Sequence, residues 1–513
     1  MIKKILFVTL YALICISLVA LAVKGQKENP LHFQTVKDTS VGGPFESSNN
    51  TSRYALTEAI AEDKTFFFNN PRARFATPDV EEYNGKIFSI FTPGVSFLGL
   101  PFYFLGKTVG LPQLLTYSST VLLALINVLL IIILARKFGG GTYTSILAGF
   151  LFLFGTNALT YALTFTQHHA SISLILLALL NVMGERTLIK NIYLGVLYSA
   201  ALLVDLPNGI LMLPIIIYAL HKHLKTKSHY ENIKFTLKLN IIGLLIGAAP
   251  FLTLFGWYNY QTTGSYIKVA QMLGRRVDVL PSGEFVSRRQ LTINEDEPVR
   301  LPFNPRNQLS GLYILLLSDE RSWIWYSPVV LLGIVGLILT SKRSIKRSFV
   351  IIASSVVLTT TIAYSMFGDP WGGWAFGPRY LIPAAAVLCS GIGIALERYK
   401  RKVWFIIPFM MLAMYSIGVN VLGAMTTTQI PPKVEAVNLP SPIPYTYEYN
   451  WELMTEKNLN SSLFYNLYLS DKLSSRDFAL LYASAAFGLV MILYLASIFE
   501  NHASLKNTEG KGK

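Results

Sequence analysis

Residues 1–23 read MIKKILFVTLYALICISLVALAV, and the chain turns hydrophilic directly after them at Lys24-Gly25-Gln26-Lys27-Glu28. Two lysines ahead of an apolar run from Ile5 to Val23 describe a membrane-spanning helix with a basic start. Between Lys24 and Thr92 lie nine acidic side chains. A polytopic membrane protein ordinarily follows its first helix with a short turn. A long, early, carboxylate-bearing loop held against the bilayer suits chemistry at the far membrane face.

The rest of the chain agrees with a membrane setting. It has 513 residues, 52% hydrophobic and only 14% charged, which is an integral membrane composition. Apolar runs separated by basic clusters give twelve expected spans: 5–23, 115–135, 143–163, 169–184, 191–205, 206–220, 238–257, 326–340, 348–366, 380–396, 403–424 and 478–498. Several are short, and the pair around Asp205 also reads as one kinked re-entrant unit.

A formal net charge of +15 suggests nucleic acid until it is mapped onto these spans. The expected cytoplasmic segments (1–4, 136–142, 185–190, 221–238, 341–347, 397–402 and 499–513) hold 22 Lys/Arg against 5 Asp/Glu. The remainder holds 22 against 24. The positive excess therefore lies on one face, as the positive-inside rule requires. Clusters such as Lys342-Arg343-Ser344-Ile345-Lys346-Arg347 are topology signals and membrane-lipid contacts rather than a nucleic-acid surface. Both termini are expected in the cytoplasm, with the first helix an uncleaved anchor. Cys15 and Cys389 fall inside spans, so neither a disulfide framework nor a metal site is implied.

The expected fold class is all-α: a polytopic membrane protein with about twelve transmembrane helices and juxtamembrane helices in the first outer loop. Residues 1–498 read as one domain, with outer loops at 24–114, 258–325 and 425–477, and 499–513 as a cytoplasmic tail. No outer segment is long or apolar enough to form a separate core. In the first loop, Asn50-Thr51-Ser52-Arg53 predicts a helix cap, and Asn69, Asn70 and Pro71 break the pattern. Residues 78–85 predict a turn and Lys86 to Ser89 an extended run. Pro93-Gly94 opens an apolar helix, to Leu105, lying along the membrane interface.

The second informative stretch is Tyr364-Ser365-Met366-Phe367-Gly368-Asp369-Pro370-Trp371-Gly372-Gly373-Trp374-Ala375-Phe376-Gly377-Pro378-Arg379-Tyr380. Its glycines and prolines prevent a continuous helix, and its aromatic residues surround a single basic residue, Arg379. A rigid aromatic turn presenting one guanidinium suits a phosphate held beside a greasy chain. An interfacial aromatic belt with a structural arginine reads the same residues more plainly. Two further features sit at membrane depth, where ionisable groups are expensive. Gln167-His168-His169 opens a span at the outer face, and Asp205 precedes Leu206-Pro207-Asn208 between two short spans. Asp205 equally suits a cap for the next half-helix. Adjacent histidines point to different helix faces, which disfavours a shared metal. The charges of the middle outer loop (Arg275, Arg276, Arg288, Arg289, Glu295, Asp296 and Glu297) read as solvated, and 425–477 as an irregular lid.

These elements resemble the C-type glycosyltransferase superfamily, multi-spanning enzymes that use polyprenyl-phosphate sugars on the extracytoplasmic side. The similarity is strongest to prokaryotic relatives of protein mannosyltransferases and of the lipid A aminoarabinose transferase. Ser52-Arg53-Tyr54-Ala55-Leu56 with Ala59-Ile60 is similar to the family's Arg-Tyr element. Asn84-Gly85 through Pro93-Gly94 is similar to the family's following glycine-to-proline stretch, and Tyr326-Ser327-Pro328 and the run Trp371 to Tyr380 resemble a prokaryotic subgroup. The resemblance implies an inverting glycosyltransferase of the cell envelope, moving a sugar from a polyprenyl-phosphate donor to a lipid, glycan or protein acceptor. A carboxylate would take the acceptor's proton, and cations would stabilise the leaving phosphate. Asp79, before the loop glycine, is the first choice for that base and Glu46 the next, with Glu81 or Glu82 as substitutes. Arg53, Lys86 and Arg379 are the implied phosphate ligands. Tyr54, His168, Asp205, Trp371, Trp374 and Tyr380 are the expected substrate pocket.

The chain departs from the family twice. The positions before the Arg-Tyr element read Asn49-Asn50-Thr51 where an acid is usual, and Phe91 stands where the subgroup carries a lysine. Some members need a divalent cation, but no acidic pair here calls for one. Two other readings stay open: a transporter or flippase of lipid-linked sugars, and a non-catalytic relative acting as an assembly partner. A transporter should show internal repeats with matching broken helices, and none is found.

Overall fold

A computed structural model of the chain describes residues 2–25, 41–229, 232–274, 276–279, 284–287, 303–341 and 347–509. Every expected span falls on helix. Among the described residues, six helices are long and apolar enough to cross a membrane: Pro112–Phe138, Leu239–Thr263, Arg347–Ser365, Arg379–Tyr399, Val403–Met425 and Ser475–Glu500. Five further apolar helices are shorter, and they include Thr142–Phe154, His168–Asn181 and Leu188–Val204. The expected span at 143–163 breaks at Gly155 into Thr142–Phe154 and Ala158–Ala162. That at 206–220 is two pieces, Asn208–Leu211 and Leu213–His221, set off by Pro207 and Pro214. The chain is therefore an all-α, multi-pass membrane protein.

Burial orders the bundle. The most apolar stretch of Arg379–Tyr399 is 89% buried and stands at its centre, whereas that of Leu239–Thr263 is only 17% buried and faces outward. Close approach relies on small residues, as it does where apolar helices cannot be driven together by water. Gly336 of Leu332–Ser341 meets Gly391 of Ile382–Tyr399 so tightly that a Cβ on Gly336 would collide with the facing carbonyl. The segment around 224–237 adds a hairpin, Leu224–His229 with Asn232–Leu237, that no pattern in the sequence predicts.

The first outer loop folds onto the bundle. Its leading helix is Ser48–Glu58, beginning two residues before the predicted cap; Ser47 is the N-cap and makes no side-chain capping bond. Asn69 does cap: it accepts from the Arg72 amide and opens Asn70–Ala76. Val80–Tyr83 pairs antiparallel with Lys86–Ser89, the turn at Asn84-Gly85 lying in left-handed conformation as a tight hairpin needs. Gly94–Thr108 then runs as the expected short helix. Its start is pressed on the end of Leu188–Val204, where Thr92 Oγ1 donates to Val204 O at 2.9 Å. A Cβ on Gly94 would lie 2.5 Å from Leu203 O, so only glycine allows that approach. This contact carries the hairpin and its shoulder residues to the Asp205 corner.

Candidate functional site

Above that corner lies a cavity of ≈ 640 Å³. Four elements wall it: the start of the first outer helix, the shoulders of the hairpin, the Asp205-Leu206-Pro207 break, and the turn from Tyr364 to Tyr380. Its lining mixes apolar rings with charged groups, as a site for a lipid-linked polar headgroup must.

Asp79 reaches the cavity from the shoulder before Val80–Tyr83. Ser48 Oγ donates to its Oδ2 at 2.7 Å, and that is the carboxylate's one hydrogen bond among the described residues. Its backbone is fixed: the Asp79 carbonyl accepts from Ser52 Oγ at 2.7 Å and from the Ile90 amide at 3.3 Å. Position is thus set by the main chain, while most of the carboxylate's acceptor capacity stays free.

Arg53 is fully buried beneath Asp79. One nitrogen, Nη1, donates to Asn49 Oδ1 at 2.8 Å, and the guanidinium carbon lies 3.9 Å from the Phe91 ring centroid. Nε and Nη2 have no partner. Burial pulls Arg53 down to about 10, against the attraction of Asp205 and Asp79, so it stays cationic at neutral pH. Phe91, standing where the subgroup has a lysine, thereby supports a cation rather than supplying one.

The opposite wall is the glycine-rich turn. Gly372, Gly373 and Gly377 all have positive φ. A Cβ at Gly372 would come within 2.9 Å of Arg379 Nε, so the bare backbone there makes room for the guanidinium. Arg379 lies against Tyr380 at 5.4 Å, and its Nε too is without a partner. Tyr380 stacks on Tyr364 at 4.4 Å and donates to Asp369 Oδ1 at 3.2 Å. Burial lifts Asp369 above the ordinary aspartate range, opposed by Arg379, the Tyr380 hydroxyl, the Gly372 amide and Arg276. Three guanidinium nitrogens from two arginines therefore remain unpaired beside a cavity that also holds three carboxylates, Asp79, Asp205 and Asp369.

Of the residues singled out in the sequence, Asp79, Asp205, Trp374, Arg379 and Tyr380 line the cavity, with Arg53 directly behind. The others lie elsewhere. Glu46 is buried and saturated: it accepts from Gly42 N at 2.7 Å, Thr427 Oγ1 at 2.5 Å, and Thr428 N and Oγ1 at 2.7 Å each. It also pairs with fully buried Lys24 at 3.4 Å. Lys86 is exposed on the hairpin, over the Phe67 ring at 4.3 Å. Tyr54 packs among Phe45, Phe75 and Tyr103 in the loop's own core. His168 packs edge-on to Tyr161 at 5.0 Å, and Trp371 does not line the cavity. His169 points elsewhere, its Nε2 at 2.8 Å from Ala158 O, so the two histidines share no ligand position.

Sequence reasoning missed Gln167, Tyr364, Phe367, Asp369 and Arg276 as lining residues. Asp369 carried a usable signal, being the single acid in the Tyr364–Tyr380 run. Gln167, which lines the cavity together with Asp205, is placed there only once the helices are packed. Arg276, read as a solvated charge, is exposed yet borders the cavity. The remaining middle-loop charges, Arg275, Arg288, Arg289, Glu295, Asp296 and Glu297, lie outside the described residues. No metal-holding cluster of His, Cys, Asp and Glu occurs among the described residues.

No protein-family model matches the chain, and no curated protein does. Solved structures do. ArnT from Cupriavidus metallidurans in the apo state aligns over 96% of this chain and 77% of its own length, at 14% identity and a TM-score of 0.50. The same protein bound to undecaprenyl phosphate aligns over 96% and 76%, at 13% identity and a TM-score of 0.51. Sequence identity this low speaks for the fold alone: the chain shares the fold of that membrane protein.

Proposed function

We propose that the protein is a membrane glycosyltransferase that moves a sugar from a polyprenyl-phosphate donor to a hydroxyl of an extracytoplasmic acceptor, with inversion. The observation that carries this reading is the pairing of Asp79 with unpartnered guanidinium donors across one cavity, on this fold. Buried cations with free N–H groups are costly unless an anion completes them, and a phosphate does so with charge-assisted hydrogen bonds. The neighbouring structure bound to undecaprenyl phosphate is consistent with that anion being a lipid phosphate.

In the proposed reaction the Asp79 carboxylate accepts the proton of the acceptor hydroxyl as its oxygen attacks the anomeric carbon. The bond from that carbon to the phosphate oxygen breaks, and the lipid phosphate leaves with the electron pair. Arg379 and Arg53 hold the charge that develops on it. The rings of Tyr364, Phe367 and Tyr380 form the apolar wall beside the headgroup. Glu46, tied to Lys24 and the last outer loop, fastens the first loop in place. In this reading both termini are cytoplasmic and the cavity opens on the outer face, which the one-sided excess of Lys and Arg supports.

The test is transfer in membranes supplied with radiolabelled polyprenyl-phosphate sugars, comparing the wild type with Asp79→Asn and Arg379→Ala. Loss in both variants at normal expression supports the assignment. Loss in Arg379→Ala alone moves the base to another acid. No transfer by the wild type from any donor overturns the reading in favour of a transporter or an assembly partner.

A further inference from the structure

We infer that the outer face carries a second pocket, built for an uncharged sugar, that seats the acceptor. Its purpose rests on the transferase reading above; its existence and chemistry do not. The pocket measures ≈ 480 Å³ and is lined chiefly by Trp325, Trp451, Tyr445, Tyr447, Asp319 and Glu448. It lies between the short helix Trp323–Tyr326 and the last outer loop, apart from the cavity holding Asp79.

The chemistry of the lining selects the ligand. Trp325 and Trp451 stay 42% and 45% exposed, so both indoles present open surface to the pocket. A pyranose offers one face of C–H groups and a rim of hydroxyls; aromatic faces take the first and carboxylates accept from the second. No lysine or arginine lines the pocket, so a phosphate or sulfate headgroup would face two carboxylates unaided. Toward a cationic headgroup, one of the four rings is already taken. Lys433 Nζ already lies 5.0 Å from the Tyr445 ring centroid, supplying the protein's own cation to that ring.

The rings are held before any ligand arrives. Tyr445 donates to Asp319 Oδ2 at 3.2 Å, the Tyr447 and Tyr415 hydroxyls lie 2.9 Å apart, and Trp325 Nε1 donates to Leu317 O at 3.2 Å. The polar ends of these three rings are occupied, which lowers the ordering cost of binding. The pocket also communicates with the reaction cavity. Tyr447, Tyr326 and Phe376 form one row of rings, at 5.5 and 5.1 Å, that ends in the glycine-rich turn. Across the surface, Trp374 at the cavity wall donates to Glu435 at 2.6 Å on the short helix Lys433–Ala436, whose Lys433 covers Tyr445. The short helix Lys433–Ala436 therefore touches one wall residue of each pocket.

An apolar groove of ≈ 260 Å³ adjoins the pocket between Val403–Met425 and the start of the last helix, sharing Leu422 and Trp451 with it. The same sugar chemistry then has two sources, a free glycan end or a sugar on a lipid anchor, and Gly418 separates them. A Cβ there meets nothing within 4 Å, so the side chain of Gly418→Leu starts into open groove space.

The experiment uses the full chain in nanodiscs prepared without glycoside detergents. Binding of maltose, cellobiose, chitobiose, mannobiose, octyl glucoside below its micelle concentration, and choline is followed by saturation-transfer NMR. At least one sugar binds the wild type, and Trp451→Ala and Trp325→Ala each weaken it by about tenfold or more, the scale of one stacked ring. Glu448→Gln, a mild surface change, weakens it less. Asp79→Asn binds as the wild type does, which separates this pocket from the fate of the transferase reading. Weakening of octyl glucoside alone by Gly418→Leu supports a lipid-anchored sugar; no effect of that substitution supports a free glycan. Absence of binding by every sugar, indifference to both tryptophan substitutions, or displacement of sugar by choline overturns the proposal.

Discussion

Glu46 and Asp79 are acids of the same outer loop, and the fold surrounds them differently. The Glu46 region is a strap: four hydrogen bonds and a buried lysine consume both carboxylate oxygens and bind the loop to residues Thr427 and Thr428 near the other end of the chain. The Asp79 region is a shelf: the main chain is pinned by Ser52 and Ile90, while the side chain faces the cavity with one hydroxyl bonded to it. A carboxylate whose acceptors are filled contributes to structure, and one held by its backbone with acceptors spare is available for a proton. Electrostatic neighbourhood alone would not separate them, since both stand near cations.

Substitutions can break this contrast. The largest expected effect is Asp79→Asn, which removes the proposed base and should cost about 10²–10⁴ in turnover while the thermal transition stays put. Glu46→Ala should do the reverse. It strands Lys24, whose ammonium burial already disfavours, and should cost about 3–5 kcal/mol of stability, measured as a lower melting temperature with near-normal turnover in the protein that remains folded. Equal loss of turnover without loss of stability in Glu46→Ala would erase the distinction.

Smaller changes sharpen it. Arg379→Ala should cost about 10²–10³ in single-turnover rate, as expected for one donor to a developing phosphate charge. Phe91→Leu removes the ring under Arg53 and should cost about tenfold or less, read as a rise in KM for the donor. Asp369→Asn should have the least effect. Because burial holds this carboxyl above its ordinary range, the folded state binds the proton more tightly than the unfolded chain. That contribution is present at low pH and is lost as pH rises through the folded value. The amide should therefore flatten the acid-side stability profile, measured by melting temperature against pH.

Much of the fold was legible because hydrophobic runs and turn residues are local. Twelve apolar runs became helices, the Asn84-Gly85 turn became a hairpin, and the glycines before Arg379 became a left-handed turn. The site was legible only in part. Asp79, Asp205, Trp374, Arg379 and Tyr380 line the cavity, but Glu46 and Tyr54 offered the same kind of side chain and are buried away from it. What separates them is long-range: Thr427 and Thr428 reach Glu46 across most of the sequence, and Phe45, Phe75 and Tyr103 enclose Tyr54. Periodicity and spacing carry no information about partners so distant. Lys86 fails for a simpler reason: strand alternation and the turn leave it exposed, and only the placement of Phe67 shows where its charge goes.

The most direct measurement is single-turnover transfer from a radiolabelled polyprenyl-phosphate sugar by purified wild type and Asp79→Asn, with donor binding measured on the same samples. The account predicts that Asp79→Asn binds donor as the wild type does and transfers it at least about a hundredfold more slowly. Transfer within a few-fold of the wild type would contradict it, and would remove Asp79 from the chemistry.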